Sequence, residues 1–470
     1  MGMKNLIIYI IPLLLSQLGF SQSNEIDDFD SIVSYQVKKK ETLYNISKKF
    51  EIKVQDILLF NPELRDQKLK KKSIINIPLK KNKKKIYIDS NQSGEQLNSN
   101  KLSGLADKKS PKKKKVKLAY LAPLKIDEID SDSIDQTKEF FKKINLTTIS
   151  IDFYHGMKMA IDEQVRGGVS INLDVYDTKN KIDEIQNLKD NIDFDSYDFI
   201  IGPLITRNFN YFNSNNINTK VLSPLISSDI KFKENIIVTT APDSLKKKFM
   251  YEYIDEMIEL KNDQCVLIIS DQQNENTENE LFVRFPNAEK IELSDESFFV
   301  DPKITDSLLY DNKENWVFLE TNRSNVVSSV SSLLNSQVNS ERKIKLISTV
   351  SIENYDNPNI SYEKFGNLSF IYPSNSSPMQ SESLDVFKSN FLNEFGNYPS
   401  RISIKGYDLI KDLLIRFIYY RNYSGFDMKF ENILLNNKYD YIKSEDYGIR
   451  NQSYFILKHK ELDVMDLTKK

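Results

Sequence analysis

The chain has 470 residues, 28% of them charged, and a formal net charge of −2, enough length for one small and one large domain. Its single cysteine, Cys265, excludes an intrachain disulfide and leaves no cysteine near the start for lipoprotein acylation. Two histidines, His155 and His459, supply a histidine-based zinc site or a Ser-His triad poorly. The near-neutral total conceals an asymmetry, about +16 over residues 34–117 against about −15 over 118–470.

In chain order, Lys4 precedes an apolar run over residues 6–15, and Gly19-Phe20-Ser21 supplies the small residues of a cleavage site. The pattern predicts a signal peptide over residues 1–21 and an exported protein, with an N-terminal anchor as the alternative. No second run is long enough to span a bilayer, so no transmembrane segment is expected after cleavage.

The next stretch reads as a small unit. Tyr35 and Val37 alternate as in a strand, Thr42 caps a helix carrying Leu43, Ile46 and Phe50, and a second helix carries Val54, Ile57, Leu58 and Phe60 before the Asn61-Pro62 turn. Ile74-Ile75-Asn76-Ile77 closes the unit as a strand ending before Pro78, giving β-α-α-β over about 45 residues. On its own chemistry it is a small basic unit that anchors to something acidic.

The order Tyr35-Gln36-Val37, Glu41-Thr42-Leu43, Ile46, Phe50, Asn61-Pro62 and Ile77-Pro78 resembles a LysM module, placed at residues 34–79. The resemblance implies binding of peptidoglycan, an N-acetylglucosamine-containing glycan, in a groove between two loops. Those loops hold Lys40, Glu41, Thr42 and Leu43, then Asn61, Pro62, Glu63 and Leu64, with Leu43 and Leu64 as apolar floor. Lys40 and Lys72 stand where the family carries glycine, and each costs roughly 1 kcal/mol if the backbone there has positive φ.

Residues 80–115 contain Lys83-Lys84-Lys85, a polar stretch over 91–100, Lys108-Lys109 and four lysines over 112–115. This composition predicts a basic disordered linker. Anionic lipid or acidic wall polymer suits its charge, a solvated spacer is the alternative, and the lack of interleaved aromatics argues against nucleic acid.

From residue 116 to 470 strands and helices alternate. Strands are expected at 116–124, 171–176, 199–201, 220–222, 236–238, 266–269, 316–319 and 344–347, with helices over 156–161, 182–188, 250–260 and 326–334. The alternation predicts an α/β fold with parallel sheets and helices on both faces. Six phrases in order then resemble the type I periplasmic binding proteins, which include the branched-chain amino-acid binders. They begin at Tyr154-His155-Gly156-Met157 and Tyr176-Asp177-Thr178 and run through Ile201-Gly202-Pro203-Leu204, Val221-Leu222-Ser223-Pro224, Thr240-Ala241-Pro242 and Phe395-Gly396-Asn397-Tyr398-Pro399 with Lys405-Gly406-Tyr407-Asp408. The tail, residues 447–464, fits the hairpin that ends such domains.

That resemblance implies two doubly wound lobes with a ligand cleft beyond the carboxyl ends of their strands. First-lobe contacts fall at Leu204, Ile205 and Thr206, then at Leu225, Ile226, Ser227 and Ser228; the second lobe contributes Ser270 and Asp271. Leu225 is bulkier than the family pattern, and the Gln272-Gln273-Asn274-Glu275-Asn276 loop lacks the usual aromatic, which argues against a free amino acid as ligand. Ser228-Asp229-Ile230-Lys231 and Ser244-Leu245-Lys246-Lys247 fit Ser-x-x-Lys but lack its companion motifs.

The sequence therefore points to a non-catalytic, periplasmic, cell-wall-associated binding or scaffold protein without cofactor or metal. Its partners would be peptidoglycan together with a cell-wall enzyme or a small-molecule ligand. The alternatives are the solute-binding protein of an amino-acid-type ABC transporter and, third, a peptidoglycan-acting enzyme.

Overall fold

In a computed structural model of the chain, the described residues are 29–37, 42–50, 52–59, 61, 64, 73–80 and 115–468, less 130–132, 215–216, 227, 261–262, 295–298, 351–360, 420–430 and 444–447. They fall into two units, one within residues 1–96 and one within 97–470. The expected signal peptide lies outside the described residues. So does the interior of the linker, whose end residues Lys80 and Lys115 belong to strands.

The first unit pairs β1 (Phe29–Gln36) antiparallel with β2 (Ile74–Lys80) and covers them with α1 (Leu43–Phe50) and α2 (Val54–Leu59). Val37, Ile46, Ile52, Ile57, Ile75 and Ile77 form its core. Two boundaries differ from the sequence reading. Strand β1 starts six residues before Tyr35, and β2 runs through Pro78, which faces Ile32. In a two-stranded sheet each strand is an edge, so the amide hydrogen that proline lacks is not needed by a second neighbour.

The second unit holds two lobes. The first begins with β3 (Lys115–Ala122), α3 (Ile134–Lys142), α4 (Leu146–Arg166), β4 (Ser170–Asp177), α5 (Ile182–Asn191), β5 (Phe199–Ile201), α6 (Thr206–Phe212), β6 (Lys220–Ser223) and β7 (Ile236–Val238). Helix α4 extends ten residues before Gly156. β-Branched residues weaken the helical signal of that half, but Asn145 and Thr148 close a reciprocal capping box, 3.0 and 2.9 Å.

The chain then builds the second lobe with α7 (Asp243–Leu260), β8 (Cys265–Asp271), α8 (Glu275–Arg284), β9 (Glu289–Leu293), α9 (Pro302–Leu308), β10 (Glu314–Glu320), α10 (Ser324–Gln337), β11 (Lys343–Ile347), α11 (Tyr362–Asn367) and β12 (Ile371–Ser374). It returns to the first lobe with α12 (Glu382–Phe395) and α13 (Arg401–Tyr419), whose apolar faces join that core. β13 (Asn432–Ile433), β14 (Lys438–Tyr439), β15 (Tyr441–Lys443) and β16 (Ile449–Asn451) follow, then β17 (Phe455–Lys460) and β18 (Asp463–Asp466).

The strand orders are β15-β16-β7-β6-β5-β3-β4 and β18-β17-β12-β11-β10-β8-β9. Each sheet is parallel through its centre, so its strands read as continuous apolar runs covered on both faces. The tail ends in the expected hairpin, β17 antiparallel to β18, but the strand before it belongs to the other lobe. Strand β16 lies parallel to β7 in the first lobe, and β17 lies antiparallel to β12 in the second. Antiparallel edges thus complete both sheets, and the lobes are joined by three segments, 239–242, 375–381 and 452–454.

Helices α4 and α13 cross in the first lobe at glycine. A Cβ on Gly156 would lie 1.8 Å from the carbonyl oxygen of Ser403, and one on Gly406 would lie 2.4 Å from that of Phe153. The backbones touch directly there.

Candidate functional site

In the first unit the two expected glycan loops are described in part, and Lys40, Glu41, Pro62, Glu63 and Lys72 lie outside the described residues. Thr42 is exposed just before α1, and Leu43 and Leu64 are half-buried against the module core. The Asn61 side chain has a structural task. It is 2% exposed, and its Nδ2 donates at 2.7 Å to the carbonyls of Ile57 and Asn76, while its Oδ1 accepts from the amide of Asn76 at 2.7 Å. The carbonyl of Ile57 lies in the last turn of α2, where helical donors run out, and Asn61 donates to it while fixing α2 to β2. Its side chain is internal, and only its loop remains available to a glycan.

In each lobe of the second unit, the crevice expected for a ligand opens where the strand order reverses, between β3 and β5 in the first lobe and between β8 and β10 in the second. Gly202 follows β5 with φ of 90°, and a Cβ there would lie 2.4 Å from the carbonyl oxygen of Leu121. Leu204 is buried in the first-lobe core, and Leu225 packs against the same core. Ile205 and Thr206 are half-buried at the start of α6, Ile226 accepts a hydrogen bond from Ser223 Oγ at 2.9 Å, and Ser227 lies outside the described residues. Leu225 therefore thickens the first lobe's own core.

The second-lobe pair is turned inward. Ser270 is fully buried and its hydroxyl donates to Glu278, which pairs with Lys290 at 2.7 Å. Asp271, 3% exposed, accepts from Asn274 Nδ2 and from Thr321 Oγ1, both at 2.7 Å, with Arg323 Nε at 3.4 Å. Both side chains, named as cleft positions, are thus bonded within their own lobe. A buried hydroxyl or carboxylate needs a partner, and the same lobe supplies it.

Beside them lies a carboxyl that the sequence reading missed. Glu320 is fully buried at the end of β10 and accepts from the amide and the hydroxyl of Thr349, each at 2.9 Å. Burial pushes its pKa up to about 8, against the lowering effect of these bonds. A glutamate in an apolar strand was the available signal. Both histidines also lie among aromatic rings, His155 half-buried and stacked on Phe395 at 4.1 Å and His459 buried beside Tyr372, and loss of solvent lowers each to about 4.

One of the expected cleft residues does line a cavity. Ser228, with Asp229, Ile230, Phe232, Pro242, Asp243, Ser244 and Arg450, encloses about 390 Å³ where the loop between β6 and β7 meets the start of α7. The Arg450 guanidinium lies 3.8 Å over the Phe232 ring. Leu204, Ile205, Thr206 and Leu225 are not among its walls. The second Ser-x-x-Lys stretch reaches this cavity at Ser244, but Lys247 is held by Glu280 at 2.7 Å and by Thr277 Oγ1 at 2.9 Å. Among the described residues no three His, Cys, Asp or Glu side chains group as metal ligands, and no helix is long and apolar enough to cross a membrane.

The sequence of the first unit matches a family model over residues 35–78. It is a LysM domain. The family match covers this module alone, and no curated protein matches the chain. Among solved structures, a branched-chain amino acid ABC transporter protein from Rhodospirillum rubrum aligns with a TM-score of 0.52 at 10% identity, covering 75% of this chain and 99% of its own. The substrate-binding protein LivJ of a branched-chain amino acid transporter from Streptococcus pneumoniae, in complex with isoleucine, aligns at 0.43 and 13% identity, covering 75% and 98%. Full-length LpoA from Haemophilus influenzae aligns at 0.44 and 10% identity, covering 76% and 60%. The LysM domain is thus joined in one chain to a two-lobed α/β unit with the type I periplasmic binding protein fold.

Proposed function

We propose that this protein is a peptidoglycan-tethered, non-catalytic binding or scaffold protein of the cell envelope. Its LysM domain would hold wall glycan, and its two-lobed unit would present a surface to a partner such as a cell-wall enzyme. The observation that carries this reading is the presence of a LysM domain and a type I binding fold in one chain. The inward-turned Ser270, Asp271 and Glu320 support it, because these three polar side chains are satisfied within their own lobe. The proposed glycan surface is the pair of loops around residues 40–43 and 61–64, with Thr42, Leu43 and Leu64 as its described members.

The test is co-sedimentation with purified peptidoglycan at low and high salt, beside a variant beginning at Lys115. Pelleting that survives high salt and is lost in the variant is the expected result. Pelleting abolished by salt would reduce the N-terminal part to a polycationic anchor, and no pelleting would overturn the tether.

A second reading, the solute-binding protein of an amino-acid-type transporter, is favoured by the 390 Å³ cavity beside Ser228. Calorimetric titration with isoleucine separates the two, since saturable heat supports the solute reading and its absence supports the scaffold.

A further inference from the structure

Buried polar side chains tie the three segments joining the lobes to the short strand β14. Asn451, at the start of the third segment, uses both ends of its amide. Its Nδ2 donates to the carbonyl of Thr239 in the first segment at 3.1 Å and to that of Lys438 at 3.0 Å. Its Oδ1 accepts from the amides of Asp440 at 2.9 Å and Ser453 at 3.1 Å. The turn leading into β14 is fixed from below by Asp408 of α13. That carboxylate accepts from the amides of Leu435, Asn436 and Asn437 at 3.1, 2.9 and 3.1 Å and from Asn437 Nδ2 at 2.8 Å. The same turn holds the middle segment, where the amide of Ser377 donates to the carbonyl of Asn436 at 2.8 Å.

Lys438 then crosses between lobes. Its backbone belongs to β14, anchored on the first lobe, while its Nζ lies 2.8 Å from Asp466 Oδ2 on β18 and donates to Thr468 Oγ1 at 2.6 Å. The ammonium sits 4.3 Å over the ring of Phe455, a member of the second-lobe core. The side chains of Lys438 and Asp466 are each 1% exposed. A hinge works by absorbing backbone rotation in its connecting segments. Segments 239–242, 375–381 and 452–454 contain no glycine, and two of them carry Pro242 and Pro378.

We infer that β14 is a brace, through which Lys438 and Asn451 hold the two lobes as one rigid body of fixed cleft width. Rotation of one lobe would stretch hydrogen bonds that tolerate only small shifts and draw a buried ammonium from its carboxylate. The lobes then form a static surface and do not close on a solute. This inference is independent of glycan binding by the LysM domain.

The experiment is a distance measurement in the full chain. With Cys265→Ser, Asn191→Cys and Ser340→Cys, the two exposed positions carry one nitroxide on each lobe, and double electron–electron resonance reads their separation. A single narrow peak, unchanged by isoleucine, is expected, with Lys438→Met roughly doubling its width while circular dichroism stays native. Asp466→Asn preserves side-chain shape and gives the same broadening should Lys438→Met fail to fold. A bimodal peak without either substitution, a shift on adding isoleucine, or an unbroadened peak in the folded variants would each overturn the brace.

Discussion

The two lobes share a parallel strand order, yet the residues at the ends of their central strands are held by different chemistry. The first uses backbone contact and apolar side chains, with Gly202 against Leu121 and with Leu204 and Leu225 in or on the core. The second uses polar pairs, Asp271 with Thr321, Ser270 with Glu278 and Glu320 with Thr349. The difference teaches that polar residues at a cleft mouth do not by themselves mark a ligand site. Once buried they require partners, and here their own lobe provides them.

The largest expected effect tests the backbone-contact lobe. Gly156→Ala places a Cβ 1.8 Å from the Ser403 carbonyl oxygen, so α4 and α13 must separate. A loss of about 3 kcal/mol or more is expected in chemical denaturation followed by circular dichroism. A variant as stable as the parent would break the claim that this lobe depends on direct backbone packing.

Glu320→Gln in the polar lobe should act in the opposite direction. The folded pKa, pushed up to about 8, lies above the ordinary carboxyl value of 4.5. The associated stability is therefore fully present below pH 4.5 and lost as pH rises through 8. Glutamine keeps both contacts to Thr349 without ionising, so the variant should be more stable by several kcal/mol, at most about 5, above pH 8, with no gain below pH 4.5. Denaturation midpoints across that range measure it, and a variant less stable than the parent at pH 8 would show the carboxylate to be favourable where it sits.

The smallest effect compares lobes directly, because each has one histidine among aromatic rings. Burial lowers both His155 and His459 from 6.5 to about 4. Their stability is present above pH 6.5 and declines as pH falls toward 4, by at most about 3 kcal/mol for each histidine. His155→Phe and His459→Phe should each remove one such increment from the acid limb of a stability profile. Unequal increments would show which lobe yields first to acid.

Residues 35–78 were legible because the features of a small module are local: helix-spaced apolar residues, a turn and closing strands within 45 residues. The parallel centres of both sheets were legible for the same reason, since strands covered on both faces must be apolar throughout. Strand β9, with alternating charged residues, and the proline-bearing β12 escaped because an edge or late strand keeps no such run. The candidate cleft was named from family position alone, and spacing along the chain gave no sign of the partners that Ser270 and Asp271 find inside their own lobe. Ser270 and Asp271 face inward because Glu278 and Thr321, 8 and 50 residues away, satisfy them.

The sequence alone determined the module, the alternating elements and the location of the sheets, all of which follow from periodic burial of apolar side chains. Only the tertiary structure decided that the C-terminal strands divide between lobes, that Asn61 is an internal staple and that Lys438 meets Asp466 across the junction. Partners of buried polar groups are chosen by proximity in the folded chain, and the spacing of residues along it carries no record of that proximity.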